Sequence, residues 1–275
     1  MMMVVTGIVG GLAVLGALHL WAARRFREEA AALVGRVVAG PAPDGIRDDL
    51  PQAVAALGLR GTGGTPPLAP ALHLTQAAEM TLAPGKGWQP ITARQVIGVA
   101  TPGFVWEAWQ MRGPLVSLRV IDSYVEGHGL LAARLMGSVP VARVQGGEMD
   151  RGEAMRYLAE LPWAPDAILA NRAVLWRVLE DGRIEARLAM TPRDAVVCFT
   201  LDAGGDIVEM NARDRPATGP DGRSTLRDWR GRFHDYGMIG GRRVPLRGEV
   251  GYVGGEGFAP YWRGRITGLA TDPAM

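Results

Sequence analysis

Two carboxylates occupy positions where a carboxylate is unusual, and they are the residues in this sequence best suited to acid and base chemistry. Asp122 alternates with apolar residues along the strand-like run from Val116 to Tyr124, which places it on an otherwise apolar face. Glu160 comes at the end of an apolar helical stripe, just before Trp163. A buried carboxylate must find a partner or take up a proton. Each is therefore a candidate acid or base, or one half of an internal salt bridge to an arginine, and the salt bridge is favoured because buried ion pairs also perturb pKa values.

Other sources of chemistry are sparse. The sequence contains no HExxH, no GxSxG and no nucleotide fingerprint, and its four histidines are scattered. His234, in RFHDYG, lies in the densest polar cluster, which also fits a hairpin end. Cys198 is the only cysteine, so no intramolecular disulfide and no cysteine-based zinc site can form. We therefore assign no catalytic residue and expect no metal and no cofactor.

Aromatic residues supply the main alternative to catalysis. The chain has eight tryptophans, and aromatics in a large curved sheet usually form the core. If the concave face of such a sheet is not completely filled, the same residues line an apolar pocket. The candidate ligand-binding residues on this hypothesis are Trp106, Trp109, Asp122, Tyr124, Tyr157, Glu160 and Trp163.

The stretch from Asp150 to Leu169, DRGEAMRYLAELPWAPDAIL, must position several of these side chains. Apolar residues recur at helical spacing along one stripe, while Glu153, Arg156 and Glu160 take the other face. Asp150 followed by Glu153 resembles a capping box at the start of a helix. Pro162 ends this helix, and the next proline begins a second short one.

Runs of strand length and composition lie on both sides of this helical stretch. Those before it are Leu72–Leu82, Ala93–Ala100, Phe104–Met111, Leu115–Val125 and Leu130–Met136. Those after it are Val174–Leu179, Ile184–Met190, Ala195–Leu201, Ile207–Asn211, Leu226–Phe233, Arg243–Val253 and Tyr261–Leu269. Short turns permit only antiparallel neighbours, and a sheet of roughly ten or more strands must curl or split. We predict a mainly β (α+β) fold, a large curved antiparallel sheet or half-barrel with the central helices on its concave face.

The N-terminal segment predicts a membrane anchor. Met3 to Ala23 is an uncharged apolar run of 21 residues, about the length of a transmembrane helix. No basic region precedes it, which favours an anchor over a cleaved signal peptide. Arginines at positions 24, 25 and 27 follow it, and the positive-inside rule then favours a cytoplasmic C-terminal part of a single-pass cell membrane protein. Gly7 and Gly11 form a small-xxx-small pair that predicts a homodimer.

Composition defines the remaining organisation. Among 30 basic residues only Lys86 is lysine, and the arginines are interspersed with acidic residues at a net charge of +2, which argues against a nucleic-acid partner. Proline and glycine between Pro41 and Pro70 indicate a connector with one short helix, Asp49–Leu57, which Gly58 ends. We expect an anchor at 1–23, a juxtamembrane helix and connector at 24–70, and a β half-barrel domain at 71–275 with helices at 150–169.

Six motifs in this order resemble a known bacterial family. They are WEAWQM, DSYVEGHG, RGEAMRYLAELPWAPDAIL, WRGRFHDYG, GRRVP and YWRGRI. The family consists of membrane-anchored proteins known only as a domain of unknown function, and the resemblance covers most of the chain after about Asp48. It implies a fold similar to the lipoprotein-carrier half-barrel and supplies no established activity. The positions it emphasises are Asp122, Arg156, Tyr157, Glu160, Trp163, Pro165, Trp229, Tyr236 and Pro245. The early helix departs from the family, which tends to have arginine and tyrosine where this chain has Ala55 and Ala56.

Three functions follow as hypotheses. The leading one is a membrane-anchored, non-enzymatic protein that binds a lipid or another apolar molecule between its sheet and its central helix. The second is a hydrolase-like enzyme that uses Asp122 or Glu160 on a hydrophobic substrate, which requires an open cleft. The third is a scaffold for another membrane protein, which requires an exposed apolar patch or sheet edge.

Overall fold

A computed structural model describes residues 2–81, 87–218 and 224–271, and within α1 it describes side-chain surroundings from Leu12 onward. The helices in these ranges are α1 (Met2–Val38), α2 (Gln52–Thr62), α3 (Glu148–Ala159) and α4 (Pro165–Ala170), with a 3₁₀ turn at Leu161–Trp163. The strands of the first half are β1 (Ala71–Met80), β2 (Gln89–Gly98), β3 (Phe104–Arg112), β4 (Leu115–Val125), β5 (His128–Leu135) and β6 (Val139–Gln145). Those of the second half are β7 (Leu175–Val178), β8 (Ile184–Leu188), β9 (Ala195–Leu201), β10 (Ile207–Thr218), β11 (Ser224–Ile239), β12 (Arg242–Gly254) and β13 (Gly257–Ala270). Leu82, the predicted end of β1, lies outside the described residues.

The described strands form one antiparallel sheet in the order β6-β5-β4-β3-β2-β1-β13-β12-β11-β10-β9-β8-β7. It consists of two meanders, β1–β6 and β7–β13. They join where β1 pairs with β13, for example His73 with Ala270. The outermost strands are β6 and β7, which are consecutive in sequence. The segment between them must therefore cross from one edge of the sheet to the other. The predicted mainly β, curved antiparallel architecture is confirmed.

That crossing segment fills the inner face of the sheet. Helix α3 contacts β4 and β5 of the first meander and β8, β9 and β10 of the second, so the sheet wraps around it. Tyr157, Leu158 and Leu161 are completely buried there. They join one large apolar cluster with inner-face residues such as Leu72 and Phe199. Burial of this cluster is the main favourable term for the fold.

The start of α3 differs from the prediction. The helix begins at Glu148, after Gly147 with a φ of 58°, and no side chain caps it. Asp150 Oδ1 accepts a hydrogen bond from the amide of Gly129 on β5 (2.7 Å), and Glu153 points into the core. The predicted capping box is therefore wrong, because tertiary contacts use both carboxylates. Glu153 and Glu160, which the helical pattern places opposite the apolar stripe, are buried as well, because the sheet surrounds the helix.

Helix α1 packs on the outer face of the same sheet. Phe26, Ala30, Leu33 and Val37 form a second apolar cluster with outer-face residues of β1 to β5. Among the described residues, no helix combines the length and apolarity that a bilayer crossing requires. The membrane anchor at Met3–Ala23 therefore stays a prediction. So does pairing through Gly7 and Gly11, whose surroundings are outside the described part of the helix.

Helix α2 is shifted towards the C-terminus relative to the predicted helix. It runs from Gln52 to Thr62 and is capped by Gly63, which has a left-handed conformation with a φ of 63°. The prediction that Gly58 ends the helix is wrong. Gly58 and Gly61 are buried where α2 crosses α4, and a Cβ on Gly58 would lie 2.5 Å from Leu169. These glycines allow two helices to approach closely.

Strand β6 is the one described strand that the sequence pattern did not predict. Val139–Gln145 contains Pro140 and is exposed along almost its whole length. A proline is tolerated on an edge strand, where one side makes no ladder hydrogen bonds. Because β6 buries neither face, its sequence lacks the alternation by which the other strands are recognised.

Candidate functional site

The first candidate site is a buried ion network on the inner face. Alternation along β4 points Asp122 inward, and helical spacing on α3 places Arg156 opposite it. Arg156 donates to Asp122 Oδ2 and, through Nε, to Glu160 Oε1 at 2.9 Å. Its guanidinium also lies 4.8 Å and 5.1 Å from the ring centres of Phe104 and Trp106, an arrangement that stabilises a cation. One arginine therefore pairs with both carboxylates that the sequence singled out.

A second ion pair continues this network. Arg215 on β10 donates to Glu153 Oε1 at 3.0 Å and to the Tyr252 hydroxyl at 3.1 Å. It stacks 4.4 Å from the ring centre of Trp229. Burial, reinforced by the charge of Asp122, holds the pKa of Glu153 well above its usual value. Burial therefore favours the protonated form of Glu153.

A proton on Glu153 explains two otherwise unpaired atoms. Asp122 Oδ1 and Glu153 Oε2 are buried and have no hydrogen-bond partner in the described structure, while the two carboxyl groups lie within hydrogen-bond reach of each other. A protonated Glu153 that donates to Asp122 satisfies both atoms. Two carboxylates, Asp122 and Glu160, then balance two guanidiniums, Arg156 and Arg215. The network is neutral in that state.

Amide side chains extend the network towards β1 and β2. Gln95 donates to Glu160 Oε2, Gln76 donates to Gln95 Oε1 at 2.8 Å, and Trp106 Nε1 donates to Gln76 Oε1 at 2.9 Å. Burial raises the pKa of Glu160, and Arg156 opposes this effect. A fully bonded chain of this kind fixes the position of α3 against the sheet.

The predicted ligand-binding residues divide between the two faces of the sheet. Six of them, Trp106, Asp122, Tyr124, Tyr157, Glu160 and Trp163, come together on the inner face, where most of their surface is buried. Trp109 lies on the outer face, because residues three apart on a strand point in opposite directions. Asp122 and Glu160 share Arg156 inside the core. This is the internal salt bridge that the sequence favoured, whereas the enzyme hypothesis requires an open cleft.

Two of these six residues, Tyr157 and Trp163, hold the crossing segment through specific hydrogen bonds. The Tyr157 hydroxyl donates to the carbonyl of Gly98 (3.1 Å) and accepts from Asn171 Nδ2 (2.7 Å), and burial raises the Tyr157 pKa. Trp163 Nε1 donates to the carbonyl of Pro245 at 2.9 Å. These bonds attach the crossing segment to both halves of the sheet. In the part of the chain that the structure describes, no group of three or more His, Cys, Asp or Glu residues is arranged to hold a metal ion.

The second candidate site is a groove of about 580 Å³ on the outer face, which we call the outer groove. It crosses β1, β2, β3, β11, β12 and β13. Its floor consists of small residues, Ala77, Thr92 and the backbone at Gly248 and Gly264. Trp109 and Met111 on β3 supply the large apolar side chains of the outer face. Ile91 on β2 also lines the groove, but its side chain packs against the inner apolar cluster. The remaining lining residues are Ala78, Glu79, Pro90, His234, Arg247, Glu249, Arg263 and Arg265.

The rim of the outer groove is positive. Arg263 pairs with Glu79 (2.7 Å), and Arg247 pairs with Asp235 (3.1 Å). The exposed Arg265 has no side-chain partner among the described residues, so its charge is available to a ligand.

The tryptophan of the groove is held between cations. Trp109 lies 5.4 Å from the guanidinium of Arg94 and 5.7 Å from that of Arg119, both of which pair with Glu107. These contacts fix the ring on the outer surface, where it forms one wall of the groove.

Sequence reasoning named Trp109, but as part of a pocket on the concave face, and it missed the rest of the outer groove. A usable signal was present, because Trp106 and Trp109 are an odd number of residues apart and therefore face opposite sides. The small residues Ala77 and Thr92 carry no signal of their own. They become neighbours only because β1 and β2 pair in the observed register.

The comparisons with known proteins give the following results. No curated protein matches the chain. Similar solved structures include a LolA superfamily protein from Nitrosomonas europaea, with 11% identity, a TM-score of 0.41, and coverage of 74% of this chain and 87% of that one. A DUF1329 family protein from Desulfovibrio piger has 9% identity and a TM-score of 0.46, with coverage of 82% and 94%. A family model matches residues 43–264, which confirms the predicted resemblance: the chain belongs to the family of unknown function DUF6544.

Proposed function

We propose that this protein is a membrane-attached, non-catalytic binding protein for an amphiphilic ligand. The apolar part of the ligand lies against Trp109 and Met111 in the outer groove, and its anionic group contacts Arg265. The observation that supports this proposal is the combination of an apolar groove of about 580 Å³ with an arginine at its rim, Arg265, that has no side-chain partner among the described residues. Ligand sites commonly have this size and this mixture of apolar walls and few polar groups.

The proposed ligand site is on the outer face of the sheet, whereas the hypothesis from sequence placed the ligand on the inner face, between the sheet and the central helix. Between the sheet and α3, side chains pack against each other, and the charged groups there pair with one another. A ligand between the sheet and the helix would have to separate Arg156 from its carboxylates. Breaking a buried pair of this kind costs about 3–5 kcal/mol. The outer groove requires no such rearrangement.

Membrane attachment is supported by the exposed part of α1. Six of its large apolar residues are 56–69% exposed, namely Leu12, Val14, Leu15, Leu18, Leu20 and Trp21. Water disfavours a continuous apolar surface of this kind, and a bilayer removes it from water. We propose that residues 3–23 attach the protein to the cell membrane. The groove lies on the same face of the sheet as α1.

Native mass spectrometry of the full-length chain, released from lipid nanodiscs, tests the ligand site. Ala77→Trp fills the floor of the outer groove. Thr267→Trp is the matched control, since Thr267 is exposed on β13 and does not line the groove. We expect the wild type and the control to retain a bound amphiphile. The occupancy of Ala77→Trp by the amphiphile should be at least tenfold lower.

Arg265 variants test the proposed headgroup contact. Arg265→Gln should lower the occupancy by anionic amphiphiles, and Arg265→Lys should restore most of it. A wild-type protein without any bound mass, or equal occupancy in Ala77→Trp and the wild type, would refute the proposed function.

A further inference from the structure

A second apolar surface lies at one end of the half-barrel. It consists of residues at and beside the β3–β4 and β5–β6 turns, and we call it the tip surface. Its six large apolar side chains are 45–71% exposed: Met111, Leu115, Leu135, Met136, Val139 and Val141. The two turns are adjacent, because the amide of Met136 donates to the carbonyl of Ser117 at 3.0 Å. The residues thus form a cluster and are not scattered over the surface.

Helix α1 passes the tip surface where its exposed apolar part ends. His19 Nδ1 is 2.6 Å from Ser138 Oγ in the β5–β6 turn. Arg134 donates to the carbonyl of Ala22 at 3.2 Å. Its guanidinium lies 4.5 Å from the ring centre of Phe26. From Phe26 onward α1 packs on the sheet, so residues before His19 extend beyond the tips. The exposed apolar surface of the helix therefore continues into that of the turns.

Positive charge surrounds this junction. Arg24, Arg25 and Arg27 follow the exposed apolar part of α1, and Arg25 lies 5.6 Å from the ring centre of Trp21. Arg112 is exposed in the β3–β4 hairpin. Apolar side chains with arginines beside them match the layered chemistry of a bilayer surface, in which anionic headgroups lie above the acyl chains. This charge pattern favours lipid over an apolar protein surface.

We propose that the tip surface docks on an anionic lipid bilayer, with the side chains of Leu115 and Met136 at the level of the acyl chains. The proposal rests on the membrane attachment proposed above and is independent of any ligand. Docking gives the half-barrel a fixed orientation, because α1 and the two turns contact the membrane at separate points. It also places the outer groove close to the bilayer, since Met111 belongs to both surfaces.

Depth-dependent fluorescence quenching in liposomes tests this orientation. Single cysteines are introduced into the full-length chain with Cys198→Ala, labelled with an environment-sensitive dye, and reconstituted in vesicles of phosphatidylglycerol and phosphatidylcholine that contain brominated lipid. Met136→Cys reports the tip surface. Met238→Cys is the control, because Met238 is 65% exposed at the opposite end of the sheet, against 56% for Met136. Leu15→Cys reports the insertion of α1.

The three positions separate the possible outcomes. We expect at least twofold stronger quenching at positions 136 and 15 than at 238. Quenching at position 15 alone would overturn the docking proposal and leave membrane attachment intact. Quenching at neither position would refute both. A dye at position 136 that is shielded from water but not quenched by brominated lipid would indicate a protein partner or a second copy and would also overturn the proposal.

Discussion

Replacement of Glu153 by glutamine tests the shared proton in the core. The amide oxygen of glutamine can accept the bond from Arg215, and its NH₂ group can donate to Asp122 Oδ1, which has no other hydrogen-bond partner among the residues that the structure describes. Glu153→Gln therefore reproduces the protonated state of Glu153 without the ability to ionise. We expect the variant to fold and to be at least as stable as the wild type at neutral pH.

The size of the effect depends on pH in a defined direction. Burial raises the pKa of Glu153 in the folded protein above the 4.5 of an unperturbed glutamate. Between these two pKa values the folded state holds a proton that the unfolded state has lost, so the free energy of unfolding falls as pH rises. This single group changes the free energy of unfolding by about 1.4 kcal/mol per pH unit. The free energy of unfolding of Glu153→Gln should therefore exceed that of the wild type by a margin that grows by up to this amount per pH unit, from about pH 5 upward.

Urea unfolding of the full-length protein in one detergent, followed by tryptophan fluorescence at about pH 5, 6 and 7, measures this difference. Other titrating groups, including Glu160, are common to both proteins and cancel. Glu148→Gln is the control, because Glu148 is exposed in the first turn of the same helix. A variant that is destabilised equally at every pH would show that Glu153 is ionised in the folded protein. The interpretation that Glu153 shares a proton with Asp122 would then be wrong.

Three further predictions concern packing, hydrogen bonding and topology. Gly58→Ala should destabilise the protein by about 1–3 kcal/mol in thermal unfolding, because the new Cβ would lie 2.5 Å from Leu169. Gly35→Ala is the control. Gly35 is also helical but has nothing within 4 Å of its Cβ position, so alanine there should raise the free energy of unfolding by up to about 1 kcal/mol. Equal effects at both positions would contradict the packing argument. Tyr157→Phe should cost about 1–3 kcal/mol by leaving the Asn171 amide without its acceptor, as measured by urea unfolding, and no loss would mean that water replaces the hydroxyl. A reporter fused to the C-terminus should be active on the cytoplasmic side, as the arginines after residue 23 predict, and activity only on the outer side would show that the positive-inside rule fails here.

The fold was largely predictable because most strands bury one face. Alternation such as that of Ile184–Leu188, together with short turns, predicted twelve of the described strands and their antiparallel pairing. The exception, β6, buries neither face. Helix boundaries were less predictable, since Gly58 and Asp150 are used in contacts with distant parts of the chain and not as local stop or capping signals.

The candidate sites were less predictable than the fold. The sequence identified Asp122 and Glu160 as unusual and favoured salt bridges, but it could not show that one arginine joins them. It placed Arg156 and Glu153 on a polar face, and a polar stripe normally indicates solvent. Here the stripe meets Asp122 and Arg215, which depends on the curvature of the whole sheet. The outer groove requires the pairing of β1 with both β2 and β13, a long-range contact that local patterns do not encode.

The pairing of β1 with β13 has a consequence for synthesis of the chain in the cell. The edge of β1 that faces β13 cannot be covered until β13 is made, roughly 180 residues later, or about 10–40 s at typical translation rates. During this time the first meander presents an open strand edge, which can pair with other nascent chains. Chains truncated before Gly257 should therefore aggregate even though β1 to β6 are complete. Early attachment of α1 to a membrane would keep neighbouring nascent chains apart during that interval.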